Sequence, residues 1–216
     1  MSEMKYVMLS DQVLSATIGD EIDIELNKRI IETVKILKRF AIKGIEAVQH
    51  TYHQIAVYFD SDVICPEAIK QHLDVAYERA RETQHRSTQT PKIVEIKVKY
   101  DGEDLKNVAE YHQLSCEEVI QRHSEAVYHT YFLGFSAGFP YLAGVNPSIA
   151  TPRRSEPRIR VTAGSVGIAE SQTGIYTVDS PGGWQIIGHT VDVVFDANRN
   201  VPCMIEPGDL VKFISV

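Results

Sequence analysis

The sequence predicts an α+β N-terminal domain followed by a mainly β barrel domain, and three observations carry that prediction. In the first half, two stretches place apolar residues at helical spacing. Short apolar runs of strand length surround those stretches. From Tyr128 onward the texture changes: ten of the thirteen glycines and seven of the nine prolines accumulate between short apolar runs. That is how an all-β barrel reads.

Element by element, Tyr6–Leu9 and Val13–Ile18 are candidate strands. Between Ile22 and Ala41, the residues Leu26, Ile30, Val34, Leu37 and Ala41 line one face of an amphipathic helix. Ile45–Val48 and Ile55–Phe59 read as further strands. Pro66 opens a second helix where its missing N–H costs nothing, and Ile69, Leu73, Ala76 and Ala80 form the buried stripe. Ile93–Val98 alternates as a strand should. The polar stretch Glu82–Pro91 is the best linker candidate, but it reads equally as a long loop before a last strand of the first domain. The boundary is therefore expected near Tyr100, with residues 1–100 as the small α+β domain. Residues 101–216 then hold a helical insertion, Leu105–His123, and the barrel. Within that insertion Ser115 and Glu118 have capping-box spacing, which marks a helix running to about Ser124.

Hydrophobic residues make up 44% and charged residues 24%, ordinary proportions for a chain with a real core. The formal charge of −7 argues against tight nucleic-acid binding, which relies on Lys and Arg neutralising phosphates. It equally disfavours an anionic membrane surface. The start, MSEMKYVMLSDQ, has no signal-like apolar run, and no segment approaches the roughly 20 apolar residues of a membrane span. A cytoplasmic protein with no membrane attachment is expected. Cys65, Cys116 and Cys203 lie far apart without CxxC spacing, which fits reduced thiols.

Several local patterns invite a chemical reading. The segment Leu105–His123 mimics a DNA-reading helix-turn-helix, but Glu117 and Glu118 would stand at the end that meets phosphates, so a structural helical hairpin is expected. His50 and His53 form an H-x-x-H across a predicted turn, with no supporting Asp, Glu or Cys, so no metal site is expected. His123, His129 and His189 lie in or beside the glycine-rich half. Gly134–Leu142 contains two Gly-Phe pairs followed by Pro-Tyr, a pattern of sharp turns and aromatic edges. Pro152-Arg153-Arg154 and Pro157-Arg158 set guanidinium forks on stiffened backbone, suited to a carboxylate ligand, a partner's acidic residue or an internal ion pair. No Gly-x-Ser-x-Gly elbow, phosphate-binding loop or dinucleotide fingerprint occurs, so no cofactor is assigned to this chain.

One ordered set of motifs resembles a known family. It runs His123-Ser124, Gly134-Phe135-x-x-Gly138-Phe139-Pro140-Tyr141-Leu142, Pro152-Arg153-Arg154, Pro157-Arg158 and Ala163-Gly164-Ser165-Val166. Gln172-Thr173-Gly174-Ile175-Tyr176, Ser180-Pro181-Gly182-Gly183-Trp184, Gly188-His189-Thr190 and Pro207-Gly208-Asp209 complete it. This resembles the B-subunit family of the bacterial 5-oxoprolinases (PxpB), also described as allophanate hydrolase subunit 1 or KipI-like. Ala137 and Thr162 stand where that pattern usually has proline. The resemblance implies a cyclophilin-like β-barrel in the second half. It implies a chain that works with 5-oxoprolinase subunits A and C to convert 5-oxo-L-proline to L-glutamate, with ATP required by the complex and no activity expected from this chain alone. Alternatively it implies an inhibitor of a sensor histidine kinase, or an allophanate hydrolase or urea carboxylase-type subunit.

The resemblance and the residue chemistry together nominate a site. His123 is the candidate catalytic residue. Phe135, Phe139, Tyr141, Arg154, Arg158 and Ser165, with Gln172, Tyr176, Pro181, Gly182, Gly183 and Trp184, are the candidate substrate-binding or subunit-interface residues. His123, Arg154, Arg158, Gln172 and the Pro181–Trp184 turn are expected to converge on one face of the barrel, and Arg153 is expected to face solvent.

Overall fold

Each element of the first half has one apolar face to bury, and the way those faces meet organises the chain. The structure, a computed structural model, describes residues 4–84 and 91–216. The chain divides into two units, Met1–Thr90 and Pro91–Val216. Of the predicted linker, residues 85–90 lie outside the described residues.

In the first unit, strands β1 (Lys5–Ser10), β2 (Val13–Thr17), β3 (Ile45–His50) and β4 (Gln54–Phe59) form an antiparallel sheet of order β1-β2-β4-β3. Leu14, Ala16, Ile55 and Val57 point to one face and meet Ile30, Val34 and Leu37 of α1 (Ile24–Arg39) and Ile69, Leu73 and Ala80 of α2 (Pro66–Gln84) in one core. Asp23 caps α1, its carboxylate accepting from the Leu26 N–H at 2.7 Å. At the other end Ala41 takes a left-handed φ of 49°, so α1 stops short of the predicted limit. Periodicity did not disclose Asn27, fully buried in α1, whose amide donates to the Thr51 and Tyr52 carbonyls at 3.2 and 3.1 Å and ties the helix to the β3–β4 turn.

The second unit carries the barrel. Its strands are β5 (Ile93–Val98), β6 (Val127–Leu133), β7 (Pro140–Ala143), β8 (Arg158–Val161), β9 (Ser165–Ala169), β10 (Gln172–Ile175), β11 (Ser180–Gly182), β12 (Gln185–His189) and β13 (Leu210–Ser215). Seven of them form one sheet of order β12-β9-β10-β7-β6-β13-β5, while β8 and β11 pair as a separate ribbon. The sheet's two ends nearly meet. Lys99 and His189 exchange backbone hydrogen bonds of 2.9 and 2.8 Å, and the Asp104 N–H donates to the Ile186 carbonyl at 2.8 Å. Gly102 makes that seam possible, because any side chain there would collide with the Ile187–Gly188 backbone. Inside, Ile96, Val98, Tyr128, Val166, Ile168, Val211 and Phe213 join one core with residues of α3 (Leu105–His112) and α4 (Cys116–Glu125). The capping box is present at α4: the Ser115 hydroxyl accepts from the Glu118 N–H at 3.1 Å, and the Glu118 carboxylate accepts from the Ser115 N–H at 2.8 Å. Among the described residues, no helix is long and apolar enough to cross a membrane.

The boundary near Tyr100 requires correction. Strand β5 runs parallel to β13, from Ile93 opposite Leu210 to Val98 opposite Ser215, and buries Val94, Ile96 and Val98 in the barrel core. Alternation identified the strand but not its partner, which lies far along the chain. A fragment comprising residues 91–216 is therefore expected to fold by itself with a β-dominated circular dichroism spectrum. A fragment starting at residue 100 loses β5 and is expected to aggregate or stay unfolded. Equal thermal transitions for the two fragments would defeat this division.

Candidate functional site

A residue that the sequence reading passed over, Asp104, organises this region. It follows Asp101-Gly102-Glu103 and looks like part of a solvated turn, though its place just before α3 was a signal of a helix start. Asp104 is only 1% exposed. Its carboxylate receives the Arg158 Nη2 at 2.7 and 2.8 Å, the Arg154 Nη1 at 3.1 Å and the Ile186 N–H at 2.7 Å. The Arg158 Nε also meets Glu103 at 2.7 Å. Burial alone would lower the Arg158 guanidinium, but the Asp104 and Glu103 carboxylates outweigh it and the net direction is up. Arg158 is thus an internal strut at the start of β8. Arg154 is half-committed to the same carboxylate, and its backbone N–H donates to the Gly183 carbonyl at 2.8 Å. That bond fastens the Pro152–Pro157 segment to the Pro181–Trp184 turn.

Beside this strut lies a cavity of about 250 Å³. Phe135, Phe139, Tyr141, Tyr176 and Trp184 wall it, and the Pro181–Gly183 backbone, Pro157 and Arg153 complete the lining. The rings pack edge to face: Phe139 to Trp184 at 5.3 Å and 90°, Phe139 to Tyr176 at 5.2 Å and 83°, and Tyr141 to Trp184 at 5.8 Å and 75°. Gly182 has to lack a side chain because a Cβ would strike the Tyr176 hydroxyl. Phe135 is 63% exposed and holds a left-handed φ of 64°. A bulky residue keeps such a backbone only when its surroundings impose it, and here the strained residue carries an exposed ring of the cavity wall. Burial raises both the Tyr141 and Tyr176 hydroxyls, so they stay protonated near neutral pH. The Arg153 guanidinium stands 5.9 Å from the centre of the Trp184 ring. Arg153 is exposed, as expected, and the Trp184 ring is a neighbour that the sequence did not disclose.

The expected convergence is partial. Phe135, Phe139, Tyr141, Tyr176, Pro181, Gly182, Gly183 and Trp184 line the cavity, whereas His123, Arg154, Arg158, Ser165 and Gln172 do not. Ser165 is buried in β9, its hydroxyl 3.3 Å from that of Thr162. Gln172 pairs with Ala169 and Ala143 at the far end of β10 from Tyr176. His123 is completely buried in α4, stacked on Phe213 at 4.7 Å. Its Nδ1 lies 2.8 Å from the Tyr100 hydroxyl and its Nε2 lies 2.9 Å from the Thr173 hydroxyl. Thr173 donates its one proton to the Gly167 carbonyl at 2.9 Å. It must therefore accept from Nε2–H, which leaves Nδ1 to accept from Tyr100. Burial pushes the imidazole down to about 3, so it is neutral at physiological pH. With both nitrogens engaged and no solvent access, His123 is a strut between α4 and β10 rather than a base open to substrate. His189 pairs with Asp101 at 3.1 Å on the barrel seam. Among the described residues, no group of three or more His, Cys, Asp or Glu side chains is placed to hold a metal ion.

Known proteins share this architecture. The family model for the carboxyltransferase domain, subdomain C and D, matches residues 4–205. The 5-oxoprolinase B subunit of Bacillus subtilis (strain 168) is 36% identical over 221 residues, covering 96% of this chain and 91% of that protein. The 5-oxoprolinase B subunit of Haemophilus influenzae is 53% identical over 124 residues, 56% of this chain, and the chain spans 58% of that relative's length. The solved structure of TTHA0988 superposes with a TM-score of 0.85 at 33% identity, covering 95% of this chain and 40% of that one.

Two measurements check the struts. Removing either member leaves the other with a reduced set of partners, Glu103 for Arg158 and Arg154 with the Ile186 N–H for Asp104. Asp104→Ala and Arg158→Ala are therefore each expected to lose about 3 kcal/mol, the low end for a broken buried pair, in denaturant unfolding. Arg153→Ala, at an exposed position, should stay within about 0.5 kcal/mol. Equal stability of all three would remove the hub assignment. For His123 the folded value lies below the unfolded value near 6.5, so the unfolded chain binds the proton first. Its contribution is complete above about pH 6.5 and is lost as pH falls toward 3, by up to about 1.4 kcal/mol per pH unit. His123→Gln can keep one donor and one acceptor and should flatten that acid slope. An unchanged slope in the variant would contradict the buried neutral tautomer.

Proposed function

Because the chain belongs to the B-subunit family of the 5-oxoprolinases, we propose that it is the B component of an ATP-dependent 5-oxoprolinase, a cytoplasmic complex that converts 5-oxo-L-proline to L-glutamate with subunits A and C. The observation that carries this reading is the similarity to the Bacillus subtilis protein over 96% of the chain. The nearly closed seven-stranded sheet supports a barrel of the cyclophilin-like type. The cavity supports a recognition role for this chain. Its lining consists of aromatic rings, main chain, prolines and one guanidinium, and both tyrosine hydroxyls are held protonated. Such a surface binds and orients; it offers no paired nucleophile and base. Opening the lactam consumes a water, and ATP supplies the activation of an otherwise unreactive amide carbonyl. Those steps fall to groups outside this cavity, so the chain alone is expected to be inactive.

The test is co-expression with subunits A and C, followed by an assay of glutamate release. The assembled complex should copurify and release glutamate only when both ATP and 5-oxo-L-proline are present, while the single chain releases none. Turnover by the purified single chain, or an assembled complex without glutamate release, would sink the reading.

A further inference from the structure

Resting on that reading, we infer that the aromatic cavity is the carboxylate-recognition site for a small cyclic acid of the 5-oxo-L-proline class, and that Arg153 is the residue that binds the carboxylate. Three arginines crowd the segment 153–158, but the structure gives them different employment. Arg154 and Arg158 are engaged by Asp104. Arg153 is exposed, and among the described residues no carboxylate comes within ion-pair distance of it. It is the cation of that segment still available for an outside anion.

Its surroundings make the guanidinium a selective one. Arg154, bonded through its backbone to Gly183, and Arg158, clamped by Asp104, fix the segment that carries Arg153. The aromatic walls exclude water on one side, which strengthens an ion pair formed there. A cavity of about 250 Å³ falls below the roughly 300–1,000 Å³ of drug-sized ligand sites, so the occupant is small. A five-membered ring carrying one carboxylate places its apolar ring edges against Trp184, Phe139 and Tyr141 and its charge toward the planar fork. Arg153 also borders a neighbouring, more polar cleft of about 410 Å³ that includes Asn107, Tyr111 and Gln185. The aromatic side is favoured because there the guanidinium already lies over Trp184.

Trp184 is the only tryptophan of the chain, so intrinsic fluorescence reports on this cavity directly. The experiment titrates the full chain with 5-oxo-L-proline, following both fluorescence and calorimetry. Saturable binding is expected, with 2-pyrrolidinone, the same ring without the carboxylate, roughly tenfold weaker or worse. Arg153→Gln should lose roughly tenfold or more in affinity with an unchanged melting temperature, Arg153→Lys should keep part of it, and Tyr111→Ala in the neighbouring cleft should leave it unaltered. No binding by the wild-type chain, equal affinity in Arg153→Gln, or loss in Tyr111→Ala alone would overturn the assignment. Those outcomes beside normal glutamate release by the reconstituted complex would spare the reading of the chain as a 5-oxoprolinase component. Binding by the single chain beside an inactive complex would do the reverse.

Discussion

A single buried carboxylate, Asp104, sets the terms for everything around it. Taking an ion out of water costs several kcal/mol unless partners restore what hydration supplied. Here the partners come from separate stretches of chain: Arg154 and Arg158 from the proline-bracketed loop and strand, and the Ile186 N–H from β12. Because the charge tolerates no loosening, those stretches hold one arrangement relative to the head of α3. The glycine at 102 brings the backbone close enough for the contact, so a missing side chain and a buried charge act together.

That hub also explains the division of labour among like residues. Arg153, Arg154 and Arg158 are chemically identical, and their order in Pro-Arg-Arg-Ser-Glu-Pro-Arg gives no ground for telling which of them a buried carboxylate engages. The separation is made by a carboxylate some fifty residues earlier in the chain, a relationship no local pattern carries. The same limit applies to β5, whose alternation was plain but whose partner was not. What was legible was local: the helical stripes of α1 and α2, the Ser115–Glu118 box, and the aromatic and glycine positions that wall the cavity. His123 shows the opposite error. A titratable ring in a motif invites a catalytic role, but two hydroxyl partners and complete burial turn it into a hydrogen-bonded packing element.

The barrel's interior is correspondingly divided. One cluster is largely aliphatic and holds the helices, while a second gathers Phe139, Tyr176, Trp184 and Ile186 on the side of the cavity. Edge-to-face aromatic packing leaves few alternative rotamers, so the cavity walls are stiff before any ligand arrives. The left-handed backbone at Phe135 belongs to the same arrangement: glycine would relax the turn and remove the ring.

The place of β13 between β5 and β6 bears on how the chain is made. Synthesis from the N-terminus delivers the first unit early, and its longest strand pairing, β2 with β4, is complete once Phe59 has been made. The barrel has no such option. Until residues 210–215 leave the ribosome, β5 and β6 lack the strand that joins them, and each presents an unpaired edge. A growing chain therefore carries a finished domain and an open sheet together, and that interval is when it most needs shielding from its neighbours.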